Sequence, residues 1–279
     1  MSEYKVWPVG QLPKKFQRPE FGMLKEAGYV WDDPRDVVKL FENKVAEFAG
    51  SKYAVSVDCC SHALFLALQT SKKDLLDWQF VKNLGVESSN DKHDWTRVDE
   101  WWDRHATLGP KYADMAWIHN NPTLPTITIP KNTYVSVPMQ ITHAGFKYEF
   151  ADIEWSGTYK LDPLGIVDGA TRWTEGMYRG GMHCLSFQIK KRVPIGKGGM
   201  ILTNSKREAE YLRKIRYDGR DLNSPYMDDD FEYLGWHYYM TPEDAARGIL
   251  LMDEIPPIND DTGGWKNYSD LSKKVIFNG

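Results

Sequence analysis

Hydrophobic residues recur at helical and strand spacings over much of the chain. Between residues 34 and 50 they return every three or four positions, and Gly50 stands where a helix would stop, which predicts a helix packed on a sheet. Apolar or alternating runs predict strands at residues 53–57, 126–130, 146–150, 164–168, 184–189 and 200–203. Residues 63–69 form a helical run and residues 134–141 a further regular segment. The alternation of short strands with helical runs favours an α/β fold with a mostly parallel sheet.

Residues 71–125 interrupt this rhythm and are interpreted as an inserted segment. The stretch is polar and tryptophan-rich, with Trp78, Trp95, Trp101, Trp102 and Trp117. Residues 95–105 have the pattern of a short helix. The tryptophans either cover an edge of the core or form a surface for a partner, and we expect packing.

Composition excludes several classes of protein. The 279 residues are 42% hydrophobic and 27% charged, which is typical of one large globular domain. A formal charge of -4 gives no basic surface for nucleic acid. No run approaches the roughly 20 apolar residues of a membrane span, and residues 1–10 lack a signal-peptide core. Three cysteines, Cys59, Cys60 and Cys184, suit a reducing compartment. We therefore expect a cytoplasmic protein without disulfides or a metal site.

Polar residues follow several of the predicted strands, where α/β sheets bind ligands. Cys59 to His62 form a small turn between a strand and a helix, which either binds a phosphate or is capped by Ser61. Asp168 closes the apolar run 164–167 and is either a turn former or a site carboxylate. Lys190 and Lys191 precede a glycine-rich stretch, residues 196–199, that could equally be a solvated turn.

These segments resemble, in the right order, the DegT/StrS-type sugar aminotransferases, which have the three-layer aspartate aminotransferase fold. Ser186 and Phe187 stand before Lys191 at the spacing of the family's Schiff-base lysine, and Gly-Lys-Gly-Gly at 196–199 stands where the family has Gly-Glu-Gly-Gly. Five further stretches are similar to family motifs: residues 60–64, 130–136, 168–171, 216–219 and 234–248. The resemblance implies that the chain binds pyridoxal 5'-phosphate and belongs to this family.

The resemblance also implies roles for individual residues. Lys191 would be the catalytic lysine that forms the Schiff base, and Lys190 is the less favoured neighbour. Asp168 would meet the pyridine nitrogen and Tyr134 would stack on the ring. The other residues expected to contact the cofactor are Cys60, Ser61, His62, Thr171 and Ser186. His237 takes the place of an asparagine that reaches the neighbouring subunit's site, which implies a homodimer.

The implied reaction is transfer of an amino group from an amino acid, glutamate in our expectation, to a keto-sugar nucleotide. Two alternatives remain: another reaction of the same cofactor, of the dehydratase or decarboxylase type, and a non-catalytic binding protein that keeps the fold. Residues 1–256 are expected to form the cofactor-binding large domain and residues 257–279 a short polar tail, with the family's small C-terminal domain truncated. The charge reversal at Lys197 and the residues at His237 and Tyr239 depart from the family pattern.

Overall fold

The computed structural model describes residues 18–83 and 124–277, with the backbone alone for 78–83. The helices are α1 (Glu20–Glu26), α2 (Pro34–Ala49), α3 (Cys60–Asn83), α4 (Ser136–His143), α5 (Lys206–Ile215) and α6 (Pro242–Glu254). The strands are β1 (Tyr53–Val57), β2 (Thr126–Pro130), β3 (Lys147–Ala151), β4 (Tyr159–Leu161), β5 (Ile166–Asp168), β6 (Met182–Ser186) and β7 (Gly199–Thr203). Short 3₁₀ helices lie at Tyr226–Asp228, Trp265–Asn267, Leu271–Lys273 and Val275–Phe277.

Five of these strands form the main sheet, in the order β1-β7-β6-β5-β4. Strands β5 and β6 run parallel, whereas β1 with β7, β7 with β6, and β5 with β4 run antiparallel. Strands β2 and β3 form a separate parallel pair. The prediction of a mostly parallel sheet is therefore wrong for the main sheet in the described ranges. Hydrophobic alternation has a period of two in either direction, so the sequence pattern does not report strand direction.

Side chains of the central strands alternate between two apolar layers. Ala54, Met200 and Leu202 pack with α1, α2 and α6 on one face of the sheet. Val55 and Ile201 point to the other face and pack with α3, α4 and α5. Each fully buried side chain of this kind contributes about 1.5–3 kcal/mol relative to exposure. The arrangement is a helix–sheet–helix sandwich, which confirms the predicted α/β class.

Helix α2 forms where the apolar spacing predicted it, because its ends carry strong local signals. The Asp33 carboxylate accepts a hydrogen bond from Arg35 N at 2.8 Å, and Pro34 occupies the first turn, where a missing N–H costs nothing. Gly50 follows the last helical residue with φ of 79°, a left-handed conformation that glycine adopts without strain. The predicted helix over residues 34–50 is confirmed.

A buried ion pair joins α2 to the sheet and to the end of α5. Arg216 Nη1 contacts Glu42 Oε1, and Arg216 also donates to Ser56 O at 2.7 Å. Ser56 N donates to the same Glu42 oxygen at 2.9 Å. All three residues are buried, and each charge is neutralised by its partner, as burial requires. This cluster gives the arginine at the start of the stretch 216–219 a structural role.

Several boundaries differ from the sequence prediction. Helix α3 continues to Asn83, past residue 71 where the inserted segment was expected to begin, and residues 136–143 form helix α4. The predicted helix at 95–105 and most of the tryptophan-rich segment lie outside the described residues. No helix in the described ranges is both long and apolar enough to cross a bilayer.

Residues 257–277, which we call the strap, follow α6 and lie against the core. The strap backbone donates hydrogen bonds to the loops that follow β2, β3 and β5, through Leu271, Trp265 and Thr262 respectively. Leu271 is buried at 5% exposure, so the strap contributes to the packed interior. The division of the chain into a large domain and a tail at residue 256 stays a prediction.

Candidate functional site

Asp168 is the last residue of β5 and is only 5% exposed. Its Oδ2 accepts a hydrogen bond from the Tyr159 hydroxyl at 2.6 Å, and its Oδ1 accepts one from Ala170 N at 2.9 Å. Tyr159 lies opposite Asp168 on β4, and its hydroxyl lies 2.5 Å from Thr133 Oγ1. Three buried side chains in series therefore hold the carboxylate in place.

Burial raises the pKa values of Asp168 and Tyr159, the two titratable groups in this series of hydrogen bonds. Burial raises the pKa of Asp168, while the Tyr159 hydroxyl, the Ala170 N–H and the charge of Lys191 oppose that rise. Burial and the nearby Asp168 raise the pKa of Tyr159 well above its ordinary value, so Tyr159 keeps its proton at neutral pH and acts as donor. A buried carboxylate of this kind favours an additional cationic N–H partner.

Lys191 lies in the loop after β6 and is half-buried, whereas Lys190 beside it is exposed. Lys191 N donates to Gln188 O at 2.8 Å, and Lys190 N donates to Gln188 Oε1 at 2.8 Å, so a tight turn separates the two side chains. Burial raises the pKa of both Asp168 and Cys60, and the positive charge of Lys191 opposes the rise in each. The structure thus brings Lys191, Asp168 and Cys60 together.

The turn between β1 and α3 presents the start of a 24-residue helix to the same region. The first N–H groups of α3 have no partner within the helix and carry partial positive charge. Ser61 Oγ lies 2.7 Å from Oγ of Ser136, the first residue of α4. Two helix N-termini therefore meet through their serine hydroxyls, an arrangement that suits a phosphate.

Gly199 allows this turn to lie close to the sheet. A Cβ at position 199 would lie 2.5 Å from the Cys59 carbonyl carbon and 2.6 Å from Cys60 N, closer than real contacts allow. Gly199 is also opposite Ser186 on β6, so the half-buried Ser186 lies beside the same turn. The glycine-rich stretch is thus required by packing around the turn that carries Cys60 and Ser61.

His62 is turned away from the helix start by an ion-pair network. Its Nδ1 lies 2.6 Å from Asp58 Oδ1, and its ring stacks on Tyr238 with centroids 3.6 Å apart. Lys197 Nζ donates to the other Asp58 oxygen at 2.8 Å. The Lys197 charge reversal is therefore matched by a carboxylate at position 58. Any contact of His62 with a phosphate would come from its backbone N–H.

Asp58, Cys59 and His62 also place three ligand-type atoms within 4.8 Å of one another. Partial burial lowers the pKa of His62, but hydrogen bonds to Asp58 and Cys59 raise it more, to about 9. A metal bound here would have to displace the proton of His62 and the ion pair between Lys197 and Asp58. We interpret this group as an ion-pair network.

The pKa of His62 predicts a pH-dependent contribution to stability. A folded-state pKa of about 9 against 6.5 for the free side chain means that the contribution is complete below pH 6.5 and is lost as the pH rises through 9. We expect His62→Asn to lower the free energy of unfolding by about 1–2 kcal/mol at pH 6 and by much less at pH 10. Urea unfolding at a series of pH values measures this.

The matched control for this prediction is His143→Asn, because His143 is exposed at the end of α4. It should leave the pH profile of the wild-type chain unchanged. A His62→Asn deficit of equal size at pH 6 and pH 10 would contradict the proposed ion pair.

Three other predicted site residues lie at the edge of this region. Tyr134 is 57% exposed, and its ring is edge-on to Tyr268 with centroids 6.5 Å apart. Thr171 is buried, and its hydroxyl lies 3.0 Å from the carbonyls of Gly157 and Gly263, so it faces the strap. His237 is exposed and lies 2.6 Å from Asp218 Oδ2, on the surface.

Four residues of the site were not predicted: Thr133, Ser136, Tyr159 and Tyr268. Ser136 carries a local signal, since a serine before an apolar run is typical of a helix start. Thr133 and Tyr159 are isolated polar residues whose importance comes only from their contact across β4 and β5. No local pattern in the sequence indicates that contact.

Comparison with known proteins places these features in a family. A sequence model described as the DegT/DnrJ/EryC1/StrS aminotransferase family matches residues 27–75 and 169–262, together just over half of the chain. The spore coat polysaccharide biosynthesis protein SpsC of Bacillus subtilis (strain 168) is 25% identical over 211 residues, 70% of this chain and 48% of SpsC. GDP-perosamine synthase of Caulobacter vibrioides is 30% identical over 99 residues, 33% of this chain and 26% of the synthase.

The chain therefore spans about half the length of SpsC, or less in the case of the synthase. Among solved structures, the sugar aminotransferase CalS13 from Micromonospora echinospora superposes with a TM-score of 0.54 at 14% identity. The superposition covers 84% of this chain and 64% of CalS13. The likeness confirms the expected fold of the aspartate aminotransferase type.

Proposed function

Because the chain belongs to the DegT/DnrJ/EryC1/StrS aminotransferase family, we propose that it binds pyridoxal 5'-phosphate and transfers an amino group to a keto-sugar nucleotide. The observation that carries this proposal is the buried Asp168 carboxylate with the half-buried Lys191 close enough to act on its charge. A fixed acid, a lysine amine and a pair of helix N-termini in one region are the groups that this cofactor requires.

The donor set fits the cofactor in three respects. The Asp168 carboxylate is desolvated and favours an N–H cation, which a protonated pyridine nitrogen provides. The starts of α3 and α4, with the Ser61 and Ser136 hydroxyls, suit a phosphate dianion. Ser186 lies beside the same turn as a further hydroxyl donor.

Lys191 and Asp168 would divide the chemistry between them. Pyridoxal phosphate, when bound, supplies a carbonyl that reacts with amines and a ring that accepts electrons from the adjacent carbon. Lys191 would hold the carbonyl carbon through its Nζ and, once displaced, would carry a proton to and from the substrate carbon. Asp168 would keep the proton on the pyridine nitrogen. Tyr159 would hold Asp168 in position through its 2.6 Å hydrogen bond.

The remaining cofactor contacts belong to the periphery of the site. Cys60, Ser61 and His62 would offer the backbone N–H groups of α3 to the phosphate. The exposed Tyr134 ring is free to stack on a bound aromatic ring. Thr171 would act through the loop that carries Asp168, because its hydroxyl is engaged by the carbonyls of residues 157 and 263.

A keto-sugar nucleotide is the acceptor that the relatives support. The synthase that shares 30% identity with this chain is named for GDP-perosamine, an amino sugar nucleotide, and CalS13 is named as a sugar aminotransferase. We propose glutamate as the amino donor. Bound pyridoxal phosphate would supply the carbonyl chemistry that exchanges amino and keto groups, and Lys191 would move the proton that each exchange requires.

The assembly and location are also proposals. We propose a cytoplasmic homodimer in which His237 of one subunit faces the site of the other. Exposed apolar side chains near His237 support an interface in this region: Tyr226, Met227, Phe231 and Leu234. The sparse cysteines, three in 279 residues, support this location because they suit a reducing compartment.

A spectroscopic titration tests the proposed function. Pyridoxal phosphate is added to the purified chain, the visible absorbance is recorded, and borohydride is used to fix any bond between the cofactor and a lysine before peptide mapping. We expect one modified residue, Lys191. Glutamate added to the loaded chain should then release 2-oxoglutarate, and a keto-sugar nucleotide should be aminated.

Two other outcomes of this experiment would contradict the proposal, and each would favour a different alternative function. A chain with no absorbance band and no modified lysine would overturn the proposal and leave a binding protein with this fold. A modified Lys191 without release of 2-oxoglutarate from glutamate, or of the keto acid from any other amino acid tested, would retain the cofactor but exclude amino transfer.

A further inference from the structure

The strap is fastened to two of the loops that surround Asp168. It meets the loop after β5, where Thr262 N donates to Thr171 O at 2.8 Å. It meets the loop after β2, where Leu271 N donates to Lys131 O at 2.8 Å. These two backbone bonds fix the strap at both ends of its course past the site.

Between these points the strap follows the connection from β3 to β4. Gly157 N donates to Gly263 O, and Trp265 N donates to Trp155 O, each at 3.0 Å. Backbone hydrogen bonds do not depend on the identity of the side chains, so this attachment positions the strap whatever residues it presents. The strap therefore has a fixed path beside the site.

Side chains add to the attachment of the strap. Arg172 Nε and Nη2 donate to the two oxygens of Asp261 at 2.9 and 2.8 Å, a two-point ion pair between the Asp168 loop and the strap. Asn132 Nδ2 donates to Tyr268 O at 2.9 Å, which fixes the backbone of Tyr268 itself.

Tyr268 is the strap residue whose ring contacts aromatic residues beside Asp168. Its ring lies against Trp155 with centroids 5.6 Å apart and an interplanar angle of 27°, and edge-on to Tyr134 at 6.5 Å. Trp155 in turn lies against Tyr159, whose hydroxyl binds Asp168. Burial raises the pKa of the Tyr268 hydroxyl, and negative charge on Asp168 raises it further, so the carboxylate is near the ring.

We propose that Tyr268 is a positioning residue that closes the cofactor pocket from the side of the strap, between Tyr134 and Trp155. The inference rests on the proposed function. A tyrosine ring has few rotatable bonds, so it covers a neighbouring aromatic group at a small entropic cost. Its hydroxyl stays neutral and therefore adds no second negative charge beside Asp168. Tyr268 thus slows release of bound pyridoxal phosphate and limits the access of water.

The rate at which hydroxylamine removes the cofactor from Lys191 tests this role, because removal requires hydroxylamine to enter the pocket and the cofactor to leave it. The wild-type chain, Tyr268→Ala and Tyr268→Phe are loaded with pyridoxal phosphate, and loss of the visible band is followed after addition of hydroxylamine. We expect Tyr268→Ala to lose the cofactor about 3- to 10-fold faster than wild type, the size expected for one aromatic contact. Tyr268→Phe should stay within about 2-fold of wild type, because the ring and not the hydroxyl makes the contact.

The matched control is Tyr29→Ala, which removes a half-buried tyrosine from the opposite apolar layer, where its hydroxyl lies 3.4 Å from Lys44 Nζ. It should release the cofactor at the wild-type rate. If Tyr268→Ala also releases it at that rate, the Tyr268 role is overturned.

Hydrogen exchange on the wild-type chain gives a test without substitution. Amides at 265–271 should gain protection when pyridoxal phosphate is added, and unchanged protection would overturn the inference.

Failure of the proposed function gives a different result from failure of the Tyr268 role. In that case the wild-type chain forms no bond to pyridoxal phosphate that borohydride fixes on Lys191. A wild-type chain that does form this bond, with a Tyr268→Ala variant that behaves like it, removes only the role of Tyr268.

Discussion

Replacing Lys191 by alanine should abolish covalent attachment of pyridoxal phosphate and lower amino transfer by roughly 10³-fold or more, because one residue supplies both the attachment point and the proton carrier. Lys191 is half-buried, and its charge acts on Asp168 and Cys60. Borohydride reduction with peptide mapping measures the attachment, and release of 2-oxoglutarate from glutamate measures the rate.

The matched control is Lys190→Ala, which removes the exposed neighbouring lysine from the same turn. It should keep both attachment and rate. Weak, reversible binding of the cofactor should survive in Lys191→Ala, because the variant keeps the starts of α3 and α4, where we propose that the phosphate binds. Cofactor attached to Lys190 in the wild-type chain would contradict the assignment of Lys191.

The hydrophobic pattern placed Asp168 and the pair Lys190–Lys191 after predicted strands but left a turn as the alternative for each, and only the family resemblance singled out Lys191 and Asp168 as site residues. Strand ends are visible in the hydrophobic pattern, and ligands of α/β folds gather there. The predicted strands and helix α2 formed for the same reason, since burial on one face repeats at a fixed period. Local patterning was sufficient for helix α2 and for the approximate positions of the predicted strands, but not for the roles of Lys191 and Asp168.

Strand direction and the series of hydrogen bonds behind Asp168 could not be predicted in this way. Tyr159 faces Asp168 because β4 runs antiparallel to β5, which depends on how the chain turns between them and not on either pattern alone. Tyr268 reaches the site from the far end of the chain through bonds between the strap and three loops. Such contacts join segments distant in sequence, and one sequence contains no local signal for them.

The network around Asp58 illustrates a related point. The substitution at Lys197 looked like an unexplained reversal of charge within the glycine-rich stretch. The structure places it 2.8 Å from Asp58, which also binds His62 at 2.6 Å, so three charged residues have to be considered together. A departure from a family pattern is interpretable only with its spatial partner.

Replacing Asp168 by asparagine should separate catalysis from stability. Without the carboxylate, the pyridine nitrogen loses the partner that keeps it protonated, and we expect amino transfer to fall by about 10²–10³-fold, the usual effect of removing one electrostatic contact in an active site. Attachment of the cofactor to Lys191 should persist. The measurements are the rate of 2-oxoglutarate release and borohydride labelling on the same samples.

In the cofactor-free chain, Asp168→Asn should maintain or raise the free energy of unfolding, although it slows amino transfer. Burial raises the pKa of Asp168, so the folded state holds the proton more tightly than the unfolded state, and stability falls as the pH rises through the folded-state pKa. Asp168→Asn removes that cost, and its amide oxygen can still accept from Ala170 N while its NH2 group donates to the Tyr159 oxygen, whose own proton can turn to Thr133 Oγ1, so its free energy of unfolding at pH 7 should equal or exceed that of wild type. Asp230→Asn, at an exposed position, is the matched control and should change neither quantity. A large loss of stability in Asp168→Asn would mean that the carboxylate holds the fold together. A variant that is stable but reacts slowly would identify Asp168 as a group retained for the cofactor, at a cost to the stability of the cofactor-free chain.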